Sequence, residues 1–263
     1  MTSRGFIPFV KASACGNDFL IVEGVDADVN LSGLSKRMCD RHTGAGADGV
    51  EWLFPDTDAD IHARLFNADG SEAEISGNGT RSVAAYLCWR DFREEIVIRT
   101  GAGLKTCKLI SRNQRHYEFE TAMGEPEIGE ELSIPLASKL VTGIQVSMGN
   151  PHFVSFTKEF SPGWRKEAAE IGRNPSFTNG INVEFVVIED QSNIAVRFFE
   201  RGVGETQSSG TGSCAAAVAA IAAKKAASPV NVHAAGGSQT VRWEKEVFLA
   251  GAADLVLRGE FFV

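Results

Sequence analysis

Two stretches of this chain are apolar or small on almost every side. Residues 80–90 place Val83, Ala84, Leu87 and Cys88 inward, and residues 214–227 are alanine-rich with no charge before Lys224. Each predicts a buried helix, since a helix without a polar face has to sit inside a core. Each is also preceded by a serine and a Gly-rich turn, Ser76-Gly77-Asn78-Gly79 and Ser209-Gly210-Thr211-Gly212. A helix start exposes N–H groups and the positive end of the macrodipole, so backbone alone can hold a carboxylate there.

Elsewhere the pattern alternates in twos and predicts short strands. In the first half these are residues 6–10, 19–22, 50–54, 61–67, 95–98, 103–109 and 116–120. In the second they are residues 144–148, 153–156, 183–187, 194–199, 230–233, 239–241, 247–249 and 253–257. Short amphipathic helices are expected at residues 34–39 and 167–171. Many short strands around one apolar helix per half predict an α+β fold of two pseudo-symmetric domains, each a curled sheet wrapped around its central helix.

The two halves also share residues. Phe66, Glu72, Ser76, Gly77 and Gly79 recur at Phe199, Glu205, Ser209, Gly210 and Gly212, always 133 positions on. The same interval carries Gly16-Asn17 onto Gly149-Asn150 and Val50-Glu51 onto Val183-Glu184. Separated motifs with one shared offset argue for a duplicated unit. The two serine turns are then expected to face each other across a cleft. The acidic Gly/Pro stretch at residues 123–129 is the expected linker, which sets the domains at 1–122 and 123–253, with 254–263 expected to return to the first half.

A net charge of −8 with no Lys/Arg run excludes the usual footprint of nucleic-acid or anionic-membrane binding. The N-terminus, Met1-Thr2-Ser3-Arg4-Gly5-Phe6, lacks an apolar signal core and no stretch is long and apolar enough to span a membrane, so a cytoplasmic protein is expected. Five cysteines without CxxC spacing suggest reduced, buried thiols. No His/Cys/Asp cluster has metal-ligand spacing and no lysine is placed for a Schiff base, so neither metal nor organic cofactor is expected. Gly44-Ala45-Gly46-Ala47-Asp48-Gly49 matches the dinucleotide fingerprint formally, but it follows a helix and precedes a strand, the reverse of what that motif needs. Gly210-Thr211-Gly212-Ser213-Cys214-Ala215 fits it loosely, without the acidic residue about twenty positions on.

Gly16-Asn17-Asp18-Phe19, Phe66-Asn67-Ala68-Asp69-Gly70-Ser71-Glu72, Gly77-Asn78-Gly79, Gly149-Asn150-Pro151-His152, Asn182-Val183, Glu200-Arg201-Gly202 and Gly210-Thr211-Gly212 together resemble the diaminopimelate epimerases, a cofactor-independent amino-acid epimerase family. The resemblance covers nearly the whole chain. It implies two equivalent domains, and inversion of a Cα, converting LL- to meso-diaminopimelate, by a pair of opposed thiols. It places substrate contacts at Asn17, Asn67, Gly77, Asn78, Asn150, Asn182, Glu200, Arg201, Gly210 and Thr211, with Arg201 suited to a distal carboxylate. It gives His152 and Glu200 the task of tuning the catalytic groups. The implied setting is lysine and cell-wall synthesis, with a small-molecule amino-acid substrate and a homodimer among the expected assemblies.

Ser76 and Ser209 stand where the family has its two cysteines, and Gly49 stands where it usually has a glutamine that contacts substrate. An alcohol is roughly five pKa units above a thiol, about 7 kcal/mol at ~1.36 kcal/mol per unit, and a helix dipole returns at most ~2 kcal/mol of that. Three readings follow. The first is an epimerase that moves protons with Ser76 and Ser209, aided by His152 and Glu200. The second is a weakened or inactive member, natural or with cysteine engineered to serine, that binds an amino acid without turning it over. The third is a serine hydrolase pairing either serine with His152, although G-x-S-x-G and a third triad member are both missing. Taken singly, the serines read as helix caps, His152 as a surface or capping residue, and Cys214 equally as packing or chemistry.

Overall fold

The computed structural model describes residues 5–24, 29–137 and 139–263. Residues 1–4, which enter the reading of the N-terminus above, lie outside these. The chain divides into two compact units, Met1–Thr121 with Gly251–Val263, and Ala122–Ala250.

In the first unit β1 (Phe6–Ala14) and β2 (Asn17–Glu23) form a hairpin through Cys15 and Gly16, both at positive φ (48° and 82°). Helix α1 (Leu31–Cys39) starts on Asn30, whose side chain accepts the Gly33 N–H at 3.0 Å. Strand β3 (Gly49–Phe54) runs parallel to β2, and β4 (Ile61–Asn67) and the short β5 (Glu72–Ala73) continue antiparallel. Helix α2 (Gly77–Arg90) is followed by β6 (Glu95–Thr100), β7 (Gly103–Asn113) and β8 (His116–Gly124). Val83, Ala84, Ala85, Leu87 and Cys88 of α2 pack with Ile96, Ile98, Cys107 and Phe119 of β6, β7 and β8. Trp52 and Met38 centre a second core under α1, where the Trp52 indole N–H donates to Ser35 Oγ at 2.8 Å.

The second unit contains β9 (Glu127–Pro135), β10 (Leu140–Ser147), β11 (Pro151–Phe156), α3 (Trp164–Gly172), β12 (Asn182–Ile188), β13 (Asn193–Glu200) and β14 (Gly204–Thr206). Helix α4 (Gly210–Ala222), β15 (Val230–Ala234), β16 (Gly237–Trp243) and β17 (Val247–Phe262) complete the chain. Residues Cys214 to Ala220 of α4 are all completely buried. Alanine is the best helix former, and its small side chain lets the surrounding strands approach closely. From Gly251 onward β17 belongs to the first unit, where it pairs antiparallel with β1 from Phe6↔Phe262 to Ser13↔Asp254.

The register of the two units repeats at the interval read from the sequence. Phe19↔Gly49 on the parallel pair β2/β3 corresponds to His152↔Asn182 on β11/β12. Val50↔Phe66 corresponds to Val183↔Phe199, and Phe66↔Glu72 to Phe199↔Glu205. A one-residue slip would turn every inward side chain outward, so matching registers carry matching cores.

Three boundaries differ from the sequence reading. The central helices begin at Gly77 and Gly210, not at 80 and 214, because serine caps recruit glycine-containing turns that propensity alone assigns to loop. The expected linker at 123–129 runs largely in strand: Met123 packs on the second unit's core, and Glu127 and Ile128 pair with Ser147 and Val146. Residues 247–257 form part of one sixteen-residue strand, whose partner is β16 through Ala250 and β1 from Asp254, so that Gly251-Ala252-Ala253 interrupts the apolar pattern without ending the strand. Among the described residues no helix is long and apolar enough to cross a membrane.

Candidate active site

In the first unit the site is built at the start of α2. Ser76 has extended backbone (φ −127°, ψ 124°), and its Oγ accepts the Gly79 N–H at 3.1 Å. In the same turn Asn78 Nδ2 donates to Asn17 Oδ1 at 2.7 Å, and Asn17 Nδ2 donates to Asp48 Oδ2 at 3.2 Å, which orients the Asn17 amide. Arg81, 1% exposed, donates from Nη2 to Asn78 Oδ1 and lies 4.0 Å from Cys15 Sγ. Behind this row, burial pushes the Asp18 carboxyl up, but Arg41 and Lys11 outweigh it and hold it at about 2. Arg41 bridges Asp18 and Asp48 at 2.8 Å each, fixing the loop that carries Asp48.

Asn67 ends β4 opposite Gly49, with Nδ2 donating to Ser71 Oγ at 3.0 Å. Two positions after Gly49, and so on the same strand face, stands Glu51. Its side chain is buried, and its carboxyl lies against Gly79, where any side chain on the helix would collide with it. Burial pushes the Glu51 carboxyl up to about 8.

The second unit repeats the plan with a histidine and two glutamates near the serine. Ser209 is extended (φ −142°, ψ 129°), 6% exposed, and accepts the Gly212 N–H at 3.2 Å. Asn150 Nδ2 donates to Thr211 Oγ1 at 3.3 Å, the counterpart of the Asn17–Asn78 contact. His152 bridges Asn150 Oδ1 through Nε2 (3.0 Å) and Glu184 Oε1 through Nδ1 (2.8 Å). The Glu184 carboxyl sits against Gly212 as Glu51 sits against Gly79. Burial raises Glu184, and the neighbouring His152 draws it down. Burial also raises Glu200, against a hydrogen bond from Ser209 and the charge of His152.

Asn182 Nδ2 donates to Pro151 O at 3.0 Å while its Oδ1 accepts the Arg201 N–H at 2.9 Å. The Arg201 stem lies across Gly180, whose φ of +69° suits a glycine, and Nη1 donates to Asn179 O at 3.0 Å. The guanidinium itself is exposed.

The structure therefore brings Asn17, Ser76, Gly77 and Asn78 together in one unit, and Asn150, His152, Asn182, Glu200, Arg201, Ser209, Gly210 and Thr211 in the other. Asn67 stands at the Gly49 end of β4. His152 is a buried member of a hydrogen-bonded chain, not a surface residue, and Cys214 is a core residue at 0% exposure. Burial drives the Cys39 thiol up to about 12 and raises Cys107, leaving both inert. Sequence reasoning missed Glu51, Glu184 and Arg81 as site residues. The signal for the two glutamates was present, because each is the lone acid in an apolar strand and the two are related by the 133-residue interval.

Each helix start thus offers a hydroxyl, a turn of N–H groups and a buried carboxyl nearby. Such a constellation can bind a carboxylate and move a proton at the carbon next to it. The diaminopimelate epimerase family model matches residues 9–128 and 144–256. The diaminopimelate epimerase of Pelotomaculum thermopropionicum is 38% identical, covering 96% of this chain and 98% of that protein. That of Caldanaerobacter subterraneus subsp. tengcongensis is 36% identical at the same coverage. Among solved structures a hydroxyproline epimerase from Agrobacterium vitis shares the fold, with a TM-score of 0.73 over 99% of this chain and 94% of that one, at 15% identity. With both halves matched by the family model and relatives above 30% identity along nearly its whole length, the chain belongs to the diaminopimelate epimerase family.

Proposed function

We propose that the protein inverts the Cα of diaminopimelate without a cofactor, using Ser76 and Ser209 as its two proton-transferring groups. The observation that carries the reading is the same device built twice: a serine hydroxyl fixed by the N–H of its own helix turn, with a buried carboxyl beside that turn. One serine removes the Cα proton and the other delivers a proton to the opposite face of that carbon. The developing negative charge spreads into the α-carboxylate, which the first-turn N–H groups of Gly77-Asn78 and Gly210-Thr211 stabilise. Arg201 grips the distal carboxylate with its exposed fork. Asn17, Asn67, Asn150 and Asn182 supply amides for the ammonium and carboxylate groups. Glu200 and His152 set the proton affinity of the Ser209 side.

The chemistry asks for a small, zwitterionic substrate, and the net charge of −8 without a basic run agrees with one that is neither nucleic acid nor membrane. The reading places the enzyme in the cytoplasm, in lysine synthesis. A second reading is favoured by the serines themselves: an alcohol is so weak an acid that the site binds its ligand and turns over negligibly. The deciding experiment is conversion of LL- to meso-diaminopimelate followed by chiral chromatography, with Ser76→Ala and Ser209→Ala as controls. Conversion lost in both variants supports the epimerase, and tight binding with no conversion in the unmodified protein supports the second reading.

A further inference from the structure

We infer that Glu51 is the proton-holding partner of Ser76, doing for the first unit what Glu200 and His152 do for the second. This rests on the epimerase reading above and deepens it.

The two units are unequal in the groups that can carry a proton. The second unit surrounds Ser209 with Glu200, His152 and Glu184. At the positions in the first unit related to His152 and Glu200 by the 133-residue interval stand Phe19 and Asn67, neither of which titrates usefully. Glu51, related in the same way to Glu184, is what remains. Its carboxyl is buried against Gly79, and Gly79 is the residue whose N–H holds Ser76 Oγ. With Oγ accepting from that N–H, the hydroxyl proton of Ser76 is left to be donated elsewhere, and the Glu51 carboxyl, which flanks the same Gly79 without being hydrogen-bonded to Ser76, is the acceptor we assign to it.

Glu184 shares its carboxyl with His152, whereas Glu51 has no hydrogen-bond or ion-pair partner among the described residues. Keeping an unpaired carboxyl in an apolar place is costly, and a group so placed points to a task. The elements around it add no competing charge: its cross-strand neighbours are Ile21 on β2 and Leu65 on β4. On α2 the charged groups are Arg81, which is engaged with Asn78 and near Cys15, and Arg90 at the far end, which is paired with Glu23 and Asp91. Gly49, two residues back on the same face, has no side chain to shield the carboxyl from the turn.

In the step this implies, the Cα–H bond breaks and its proton goes to Ser76 Oγ. The Ser76 O–H bond breaks in concert, its proton passing to a Glu51 carboxylate oxygen, and the C–H electron pair remains on the substrate as the carboxylate-stabilised carbanion. Ser209 then protonates that carbon and takes a proton back from Glu200, its hydrogen-bond partner, so that one proton has moved from the Glu200 side to Glu51. In the reverse direction protonated Glu51 returns the proton through Ser76. Burial pushes Glu51 up to about 8, so both forms are populated near neutrality, as a group that must serve in both directions requires.

The test is kcat/KM against pH for the unmodified protein and for Glu51→Gln, which keeps shape and packing, each repeated with Ser76→Cys and Ser209→Cys in place. The expected result is a rise of kcat/KM toward a plateau above about pH 8 in the unmodified protein. Glu51→Gln should flatten that rise and lower activity about a hundredfold or more, within the range of general acid–base catalysis. In the double-cysteine background, where a thiol ionises unaided, the same change should cost only a few fold. Equal losses in the two backgrounds would show a merely structural role, and an unchanged profile in Glu51→Gln would remove the proposal while leaving the epimerase reading standing. No epimerisation by the unmodified protein at any pH would remove both.

Discussion

Ser76→Cys together with Ser209→Cys should raise epimerisation of diaminopimelate by about two powers of ten. The added cost of forming an oxyanion in place of a thiolate is about 7 kcal/mol, from roughly five pKa units at ~1.36 kcal/mol each. The helix starts return at most ~2 kcal/mol, and the neighbouring carboxyls take protons without changing the intrinsic weakness of the alcohol. If about half of the remaining ~5 kcal/mol is felt in the transition state, the gain is roughly 2.5 kcal/mol, or about a hundredfold. The exchange is sterically mild. Each Oγ accepts one N–H, at 3.1 and 3.2 Å, and the cost of weakening either cap stays below ~1 kcal/mol. Each single change should gain far less, because an acid and a base of similar strength must act on opposite faces. The assay is LL-to-meso conversion at fixed pH, with binding measured separately by calorimetry. A double variant that binds diaminopimelate yet turns over no faster than the parent would refute the argument that the alcohol limits the rate, and the substrate, already missing one contact at Gly49, would be the first assignment to drop.

Three further outcomes follow from the buried groups. Glu51 is protonated in the fold up to about pH 8 but ionised in the unfolded chain above about 4.5, so the native state holds the extra proton and stability falls as pH rises between those values. Glu51→Gln should therefore stabilise the protein increasingly from pH 5 to 8, by up to about 1 kcal/mol per unit, and urea titrations giving a pH-independent difference would contradict this. His152→Ala strands Glu184 in a fully buried place and should cost about 3 kcal/mol, seen as a lowered Tm, with His152→Gln costing less. Gly212→Ala brings a methyl to 2.9 Å from Glu184 Oε1 and from Phe198 Cδ1, so α4 has to shift, at about 1 to 3 kcal/mol and with loss of activity; a neutral substitution would mean that the helix start is not held tightly.

The parts of this molecule that were legible in its sequence are those where short-range pattern and long-range packing agree. The 133-residue interval survives as identical strand registers, because Phe66 and Phe199 or Val50 and Val183 are apolar partners that no slipped register could satisfy. The central helices were visible from their apolar runs, but their first turns were hidden in glycines that only a serine cap makes helical. The stretch 123–129 looked like a linker because glycine, proline and acid dominate it locally, while its ladder to β10 is a tertiary fact. Asn17, Asn78, Asn150 and Thr211 were named from motifs, and the structure adds that each pair is hydrogen-bonded. Glu51 and Glu184 were read as a repeated pair but not as site residues, because alternation counts a single acid in an apolar strand as an exposed position, and their burial depends on a helix that arrives later in the chain.

Two-base inversion at Cα requires that carbon to exchange its proton. Unmodified protein incubated with LL-diaminopimelate in D2O should yield meso product carrying one deuterium at the inverted carbon, detected by mass spectrometry, with Ser76→Ala and Ser209→Ala each abolishing net inversion. Retention of hydrogen at Cα and an unchanged LL substrate after prolonged incubation, with the ligand demonstrably bound, would contradict it.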